Sequence, residues 1–211
     1  IEAYSFSSIT EVESQRTLSS EEFKEAVSAK IKFYQENYSL SEENTVILLH
    51  NNSIDFFVDF LSFLFLRVTI IPLDSTLHED DIKRITDFSN PSLIIKESEI
   101  KALTGKNQKE LKDTALILFT SGTTGIPKGV LISYQALELK LRTLSRFIPS
   151  QNIENSLCFL PTFFGHGLIC NSLFPLFYGK KFFIAKKMDI AFAGSFDSFI
   201  KRNQINFFSS V

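Results

Sequence analysis

The sequence predicts an α/β fold of alternating βαβ units, with mostly parallel sheets flanked by helices. Three observations carry that expectation. Unbroken apolar runs of strand length recur at Thr45–Leu49, Thr69–Leu73 and Leu93–Lys96, as in parallel strands covered on both faces. Between them, apolar residues repeat at helical spacing. Of 211 residues, 44% are hydrophobic and 22% charged, with 8 glycines and 6 prolines. That composition fills a core and excludes disordered, collagen-like and low-complexity chains.

Each element has a local cause. Ser19 to Glu22 reads as a capping box, and Phe23, Val27, Ile31 and Tyr34 follow on one helical face. A strand at Thr45–Leu49 leads to a helix from Ser53 to Leu66, then to a strand at Thr69–Leu73. Thr76 to Glu79 reads as a second capping box, opening a helix that stops before Pro91. Leu93–Lys96 is a further strand. Residues 97–113 carry 8 charges in 17 positions and are expected as a surface connection. Beyond them come strands at Leu116–Phe119 and Val130–Ile132, a helix from Ser133 to Phe147, and a strand at Leu157–Leu160. A helix at Leu168–Phe177, a strand at Lys181–Ala185, a helix from Asp189 to Lys201 and a last strand at Ile205–Phe208 follow.

Charge and cysteine content narrow the function classes. Residues 1–105 carry 9 Lys/Arg against 18 Asp/Glu, and residues 106–211 carry 13 against 6. The second half is basic, but its charges are scattered and form no nucleic-acid arm. Cys158 and Cys170 make neither a disulfide framework nor a zinc motif and are expected as buried free thiols. With no signal peptide visible, a cytoplasmic chain is expected. Ile54 to Leu66 is apolar but carries Asp55 and Asp59, too short and too charged to span a bilayer. His50 and His78 show no partner pattern and are expected as surface or cap residues.

The most informative segment is Thr120 to Gly129, with four hydroxyl side chains and three of the eight glycines in ten residues. Glycines let successive N–H groups face one point, and such a nest with hydroxyl donors suits a polyphosphate. Pro127 stiffens the exit, and Lys128 supplies a mobile point charge. The segment is not a Walker A loop, and Gly165 to Cys170 lacks the third glycine of a dinucleotide fingerprint.

Here the chain resembles the adenylate-forming, AMP-binding superfamily. LILFTSGTTGIPKGVLIS (residues 116–133) is similar to that family's phosphate-loop signature through Lys128 and Gly129. TLSSEEF, the run from Val46 to Asp74, LPTFFGHGL and PLFYGKKFFI resemble its other N-terminal motifs, in the family's order. The lack of glycine before Thr45 departs from the family pattern.

The resemblance implies attack of a small-molecule carboxylate on the α-phosphate of Mg2+-bound ATP. The acyl group then passes to coenzyme A or to a carrier phosphopantetheine, with an acyl-carrier protein as the alternative partner. Thr120, Ser121, Gly122, Thr123, Thr124, Gly125 and Lys128 would hold the phosphates, Lys128 acting catalytically on the departing pyrophosphate. Phe163, Phe164 and His166 would border the carboxylate pocket, although two core phenylalanines and a structural histidine account for them equally well. The Asp that amino-acid-activating members usually place near this position is absent, favouring an acyl or aryl carboxylate. The resemblance makes residues 1–211 part of an N-terminal AMP-binding domain, with about 1–105 as a first subdomain and about 106–211 beginning a second. The family's downstream motifs and C-terminal lid domain are missing, so the chain is expected to be an inactive fragment of an acid–thiol ligase. No protein metal site and no nucleic-acid partner are expected. The alternatives are an amino-acid-activating domain of a peptide-synthetase type and a non-catalytic nucleotide-binding module.

Overall fold

Every strand expected between residues 45 and 120 forms, and strands joined through helices run parallel. The computed structural model describes residues 6–105, 111–120 and 128–210. In chain order its elements are β1 (Ser8–Glu11), β2 (Thr17–Ser19), α1 (Ser20–Tyr38), β3 (Thr45–Leu49), α2 (Ile54–Phe65), β4 (Thr69–Leu73) and α3 (Glu79–Ser89). There follow β5 (Leu93–Lys96), β6 (Glu99–Ala102), β7 (Thr114–Thr120), β8 (Lys128–Ser133), α4 (Tyr134–Phe147) and β9 (Asn155–Cys158). A π-helical stretch (His166–Leu173), α5 (Phe174–Tyr178), β10 (Lys181–Ile184) and α6 (Ile190–Arg202) complete the set. Contacts divide the chain into two units, one of Ile1–Lys24, Asn52–Ile54 and Glu138–Val211, the other of Glu25–Asn51 and Asp55–Leu137. This division differs from a cut near residue 105, because β7 and β8 join the sheet of β3–β5 while β1 pairs with β10.

In the unit of residues 25–51 and 55–137, the described strands form a six-stranded sheet in the order β6-β5-β3-β4-β7-β8. The inner pairs β5–β3, β3–β4 and β4–β7 are parallel, with Ile47 opposite both Ile71 and Ile94. Their core gathers Ile47, Leu49, Ile71, Leu73, Ile85 and Ile117. α2 buries Phe56, Phe57, Phe60 and Phe63, together with one carboxylate, Asp59. A buried charge needs partners, and Asp59 has the Tyr34 hydroxyl at 2.8 Å and Lys30 Nζ at 3.0 Å. Burial, and then the Asp59 charge, push the Tyr34 phenol well above its ordinary value.

Three local expectations change in this unit. Thr76 does not cap α3: its amide and hydroxyl turn back to Asp74 Oδ1 at 2.8 and 2.7 Å. His78 is the cap, its Nδ1 accepting from the Asp80 amide. The charged stretch after Lys96 contributes a strand, β6, because Ile100 pairs with Ile95 across a tight turn with φ 52° at Glu97. His50 is buried at 4% exposure, since it directly follows the buried strand β3 and packs beside Phe56.

In the other unit, the described strands form a four-stranded sheet in the order β2-β1-β10-β9. β1 and β10 are parallel, with Ser8 opposite Lys181, as are β10 and β9. The sequence does not announce β1, whose four residues include a single apolar side chain, the fully buried Ile9. α6 starts at its cap Asp189, which accepts from the Phe192 amide at 2.8 Å. Phe192 packs edge-on to Phe196 and Phe199, which in turn pack edge-on to Phe159 and Phe183 respectively. The strand expected at Ile205–Phe208 is reduced to one bridge, Ser156 with Phe207, because the Asn155 amide donates to the Asn206 side chain. The capping box at Ser19 is present: the Glu22 amide donates to Ser19 Oγ, and the Ser19 amide donates to Glu22 Oε2.

No helix among the described residues is long and apolar enough to cross a membrane.

Candidate functional site

Strands β7 and β8 flank the hydroxyl- and glycine-rich segment in the chain. β7 is an unbroken apolar run, with Ala115, Leu116 and Ile117 fully buried. It lies parallel to β4 and antiparallel to β8. Residues 121–127 are too few for a parallel crossover, which takes a dozen or more. The last pair in register is Thr120 with Lys128, so the seven intervening residues leave from the carboxyl end of β7. Ligands in open α/β sheets lie at that edge. Ser121, Gly122, Thr123, Thr124, Gly125 and the side chain of Thr120 lie outside the described residues. Lys128 is described, and it is exposed at the first position of β8.

Gly129 has a role that the sequence pattern does not show. It stands opposite Phe119 in the ladder. A Cβ there would lie 2.9 Å from Ile117 Cγ2 and 3.4 Å from the tip of the Phe119 ring. This glycine lets two hydrophobic side chains of β7 cover the neighbouring strand. Gly129→Ala is therefore expected to lower stability by about 1–3 kcal/mol through overpacking. A denaturant midpoint equal to that of the parent would exclude this packing role.

The second group of candidates occupies one turn of the unit that contains β9 and β10. After Leu160 the chain turns at Pro161, whose carbonyl accepts from the Phe164 amide at 3.2 Å. Phe163 is half-buried and Phe164 exposed, their ring centroids 5.0 Å apart. His166, also exposed, is hydrogen-bonded through Nε2 to the Ser209 hydroxyl. Gly167 is needed for close approach, because a Cβ there would lie 2.3 Å from the Pro161 carbonyl oxygen.

The helix expected from Leu168 begins at His166 and winds as a π-helix to Leu173. Pro175 follows in the first turn of α5 and cannot donate to the preceding turn, which accounts for the change of winding there. π-Helical turns recur at functional sites.

Two residues that sequence reasoning missed hold this turn. Asn52, 4% exposed, donates through Nδ2 to the carbonyls of Leu160 (2.9 Å) and Ala185 (3.1 Å). Its Oδ1 accepts from the Thr162 amide at 3.1 Å. Asn171, inside the π-helix and 1% exposed, donates to the Ser209 carbonyl at 3.0 Å. The available signal for Asn52 was a short polar stretch, His50 to Ser53, between an apolar strand and an apolar helix. Its partners stand more than 100 positions away.

Burial holds both thiols toward the protonated form. Burial pushes Cys158 up to about 11, and it also raises Cys170, which is half-buried rather than buried. Among the described residues, no group of three or more His, Cys, Asp or Glu side chains could hold a metal ion.

Comparison with known proteins gives this geometry a family. A family model described as AMP-binding enzyme matches residues 96–211, which include the β7–β8 hairpin and the Pro161–Leu173 turn. The long-chain-fatty-acid–acyl-carrier-protein ligase AEE15 of Arabidopsis thaliana is 44% identical over 24% of this chain and 7% of its own length. Malonate–CoA ligase of the same plant is 39% identical over 34% of this chain and 12% of its own length. ATP-bound MatB from Rhodopseudomonas palustris superposes with a TM-score of 0.77 at 16% identity, covering 96% of this chain and 46% of that one. The N-terminal domain of FACL13 from Mycobacterium tuberculosis gives 0.76 at 18% identity, over 93% and 56%. The chain thus spans about half the length of the solved structures it matches. The family model covers more than half of the sequence, and the α/β fold agrees with it, so the chain belongs to the AMP-binding enzyme family.

Proposed function

We propose that the chain supplies the phosphate-binding part of an ATP-dependent carboxylate-activating ligase, an acid–thiol ligase or AMP-dependent synthetase. A carboxylate oxygen attacks the α-phosphorus of ATP. The bond to the bridging oxygen of the β-phosphate breaks, and pyrophosphate leaves with that electron pair. The thiol of coenzyme A or of a carrier phosphopantetheine then attacks the acyl carbon of the acyl-adenylate, the bond to the phosphate oxygen breaks, and AMP leaves with that electron pair as the thiol gives up its proton. The observation that carries this reading is the Thr120–Lys128 strand pair, which brackets the loop at the carboxyl edge of a parallel sheet, within the matched family segment.

The donor set fits a polyphosphate. Thr120, Ser121, Thr123 and Thr124 bring hydroxyls, Gly122 and Gly125 bring backbone amides with no Cβ beside them, and Lys128 brings an exposed cation. Mg2+, when bound with ATP, neutralises phosphate charge, and none of the described carboxylates is assigned to it. Phosphoryl chemistry needs positioning and charge neutralisation more than covalent help. Phe163, Phe164 and His166 are proposed to border the carboxylate. Relatives bearing acyl-carrier-protein and coenzyme A ligase names support both thiol acceptors. A reducing, cytoplasmic setting is proposed, in which Cys158 and Cys170 stay free thiols.

ATP–pyrophosphate exchange by the full-length gene product, across fatty, aryl, dicarboxylic and amino acids, tests the reading. Exchange driven by a fatty or aryl acid is expected. Exchange with amino acids alone would favour the peptide-synthetase reading, and nucleotide binding without exchange would favour a non-catalytic module.

A further inference from the structure

His50 stands outside every role described above, yet its surroundings are unusual. The ring is 4% exposed, and neither nitrogen has a hydrogen-bond partner. Two carboxylates face it from different elements. Asp59 of α2 lies 3.8 Å from Nε2, and Glu97, just past β5, lies 3.7 Å from Nδ1. Asp55 of α2 and Lys30 of α1 are the other charges acting on the ring, and the Phe56 ring lies 6.2 Å away.

Asp59 is already held by Tyr34 and Lys30. Glu97 is half-exposed and bound elsewhere: its Oε1 accepts from the Asn51 amide at 3.1 Å and from Asn51 Nδ2 at 2.8 Å. Asn51 Oδ1 in turn accepts from the Ser75 hydroxyl at 3.2 Å. Glu97, Asn51 and Ser75 follow β5, β3 and β4, three strands adjacent in the sheet. The next strand, β7, is the one that leads into residues 121–127.

We infer that His50 is a proton-sensitive latch of a clasp that ties together the three loops at the carboxyl edge of β5, β3 and β4. The inference is independent of the proposed ligase activity. Neutral His50 is compatible with the closed clasp, because burial penalises the charged ring while Asp59 and Glu97, the carboxylates that would favour it, make no hydrogen bond to it and are held by Tyr34, Lys30 and Asn51. Burial holds the ring below its ordinary value of 6.5, against the pull of Asp59, Glu97 and Asp55 and with the help of Lys30. Opening at Glu97, the exposed end of the clasp, hydrates the ring and restores that ordinary value.

The sign follows by linkage. Above 6.5 the ring is neutral whether the clasp is closed or open, and pH has no effect. As pH falls through 6.5 the open form takes up a proton first, so acid favours opening.

The test is amide exchange and histidine NMR on the 211-residue chain between pH 8 and 5. Opening at the Asn51 amide, after correction for intrinsic exchange, is expected to rise about tenfold per pH unit below 6.5. His50→Gln, which cannot titrate, should abolish that slope. Glu97→Gln keeps an acceptor for Asn51 but removes a charge that favours the protonated ring. It should move the His50 titration to lower pH, and it serves if His50→Gln does not fold. An unchanged slope in His50→Gln, a His50 ring that titrates at the ordinary value, or an unmoved titration in Glu97→Gln overturns the latch.

Discussion

Replacing Lys128 by alanine in the full-length gene product is expected to slow ATP–pyrophosphate exchange by about 10²–10³-fold, the usual loss for one preorganised charge-stabilising group. KM for the carboxylate should change little. The cation is proposed to act on the phosphates as they leave, so its loss falls on the transition state more than on the bound acid. Lys128 is exposed at the start of an edge strand, and a denaturant midpoint measured alongside separates a loss of stability from a loss of chemistry. Lys128→Arg keeps the charge but changes its shape from a point to a planar fork, so partial recovery is expected. Exchange within about threefold of the parent, with an unchanged denaturant midpoint, would remove Lys128 from the proposed chemistry.

The largest expected loss of stability follows Asn52→Ala. The amide is buried and makes three hydrogen bonds, to Leu160 O, Ala185 O and Thr162 N. Alanine leaves those backbone groups without their partner, at about 1–3 kcal/mol for each one that water cannot reach. Partial rehydration of the gap brings the total to about 3 kcal/mol. Asn52→Asp should be at least as harmful, since it turns a second acceptor toward two carbonyls. Urea unfolding checks both, with an unchanged slope showing that the unfolded state is unaffected. A midpoint within error of the parent for Asn52→Ala would mean that the Pro161 turn holds itself.

The sequence made the parallel core legible because burial on both faces leaves its mark directly: Thr45–Leu49, Thr69–Leu73 and Leu93–Lys96 match β3, β4 and β5 residue for residue. What escaped was fixed by partners distant in sequence or by single atoms. β1 carries one apolar side chain and exists because β10 accepts it. β6 hides in a charged stretch whose inward residue is Ile100. The cap of α3 is an imidazole rather than the expected threonine. At the site, the order of residues 120–129 is what pointed to a polyphosphate ligand, and of the named phosphate-binding candidates only Lys128 has a described side chain, exposed at the start of β8. Gly129 looked like one more phosphate glycine, whereas its missing Cβ makes room for Ile117 and Phe119. Asn52 and His50 were opaque because each acquires its meaning only when elements far apart in the chain close around it.

The pairing of β1 with β10 has a consequence for synthesis on the ribosome. Ser7 bonds to Lys180, 173 positions later, whereas Glu25–Asn51 and Asp55–Leu137 form a nearly continuous unit. At elongation rates of about 5–20 residues per second, the N-terminal strand waits on the order of 10–35 s for its partner to be made. The unit of residues 25–137 can be complete while that strand has only the short β2 to pair with. The residues of β1 emerge before that unit yet are among the last to settle, and slowed translation before residue 180 would prolong their exposure to chaperones and proteases.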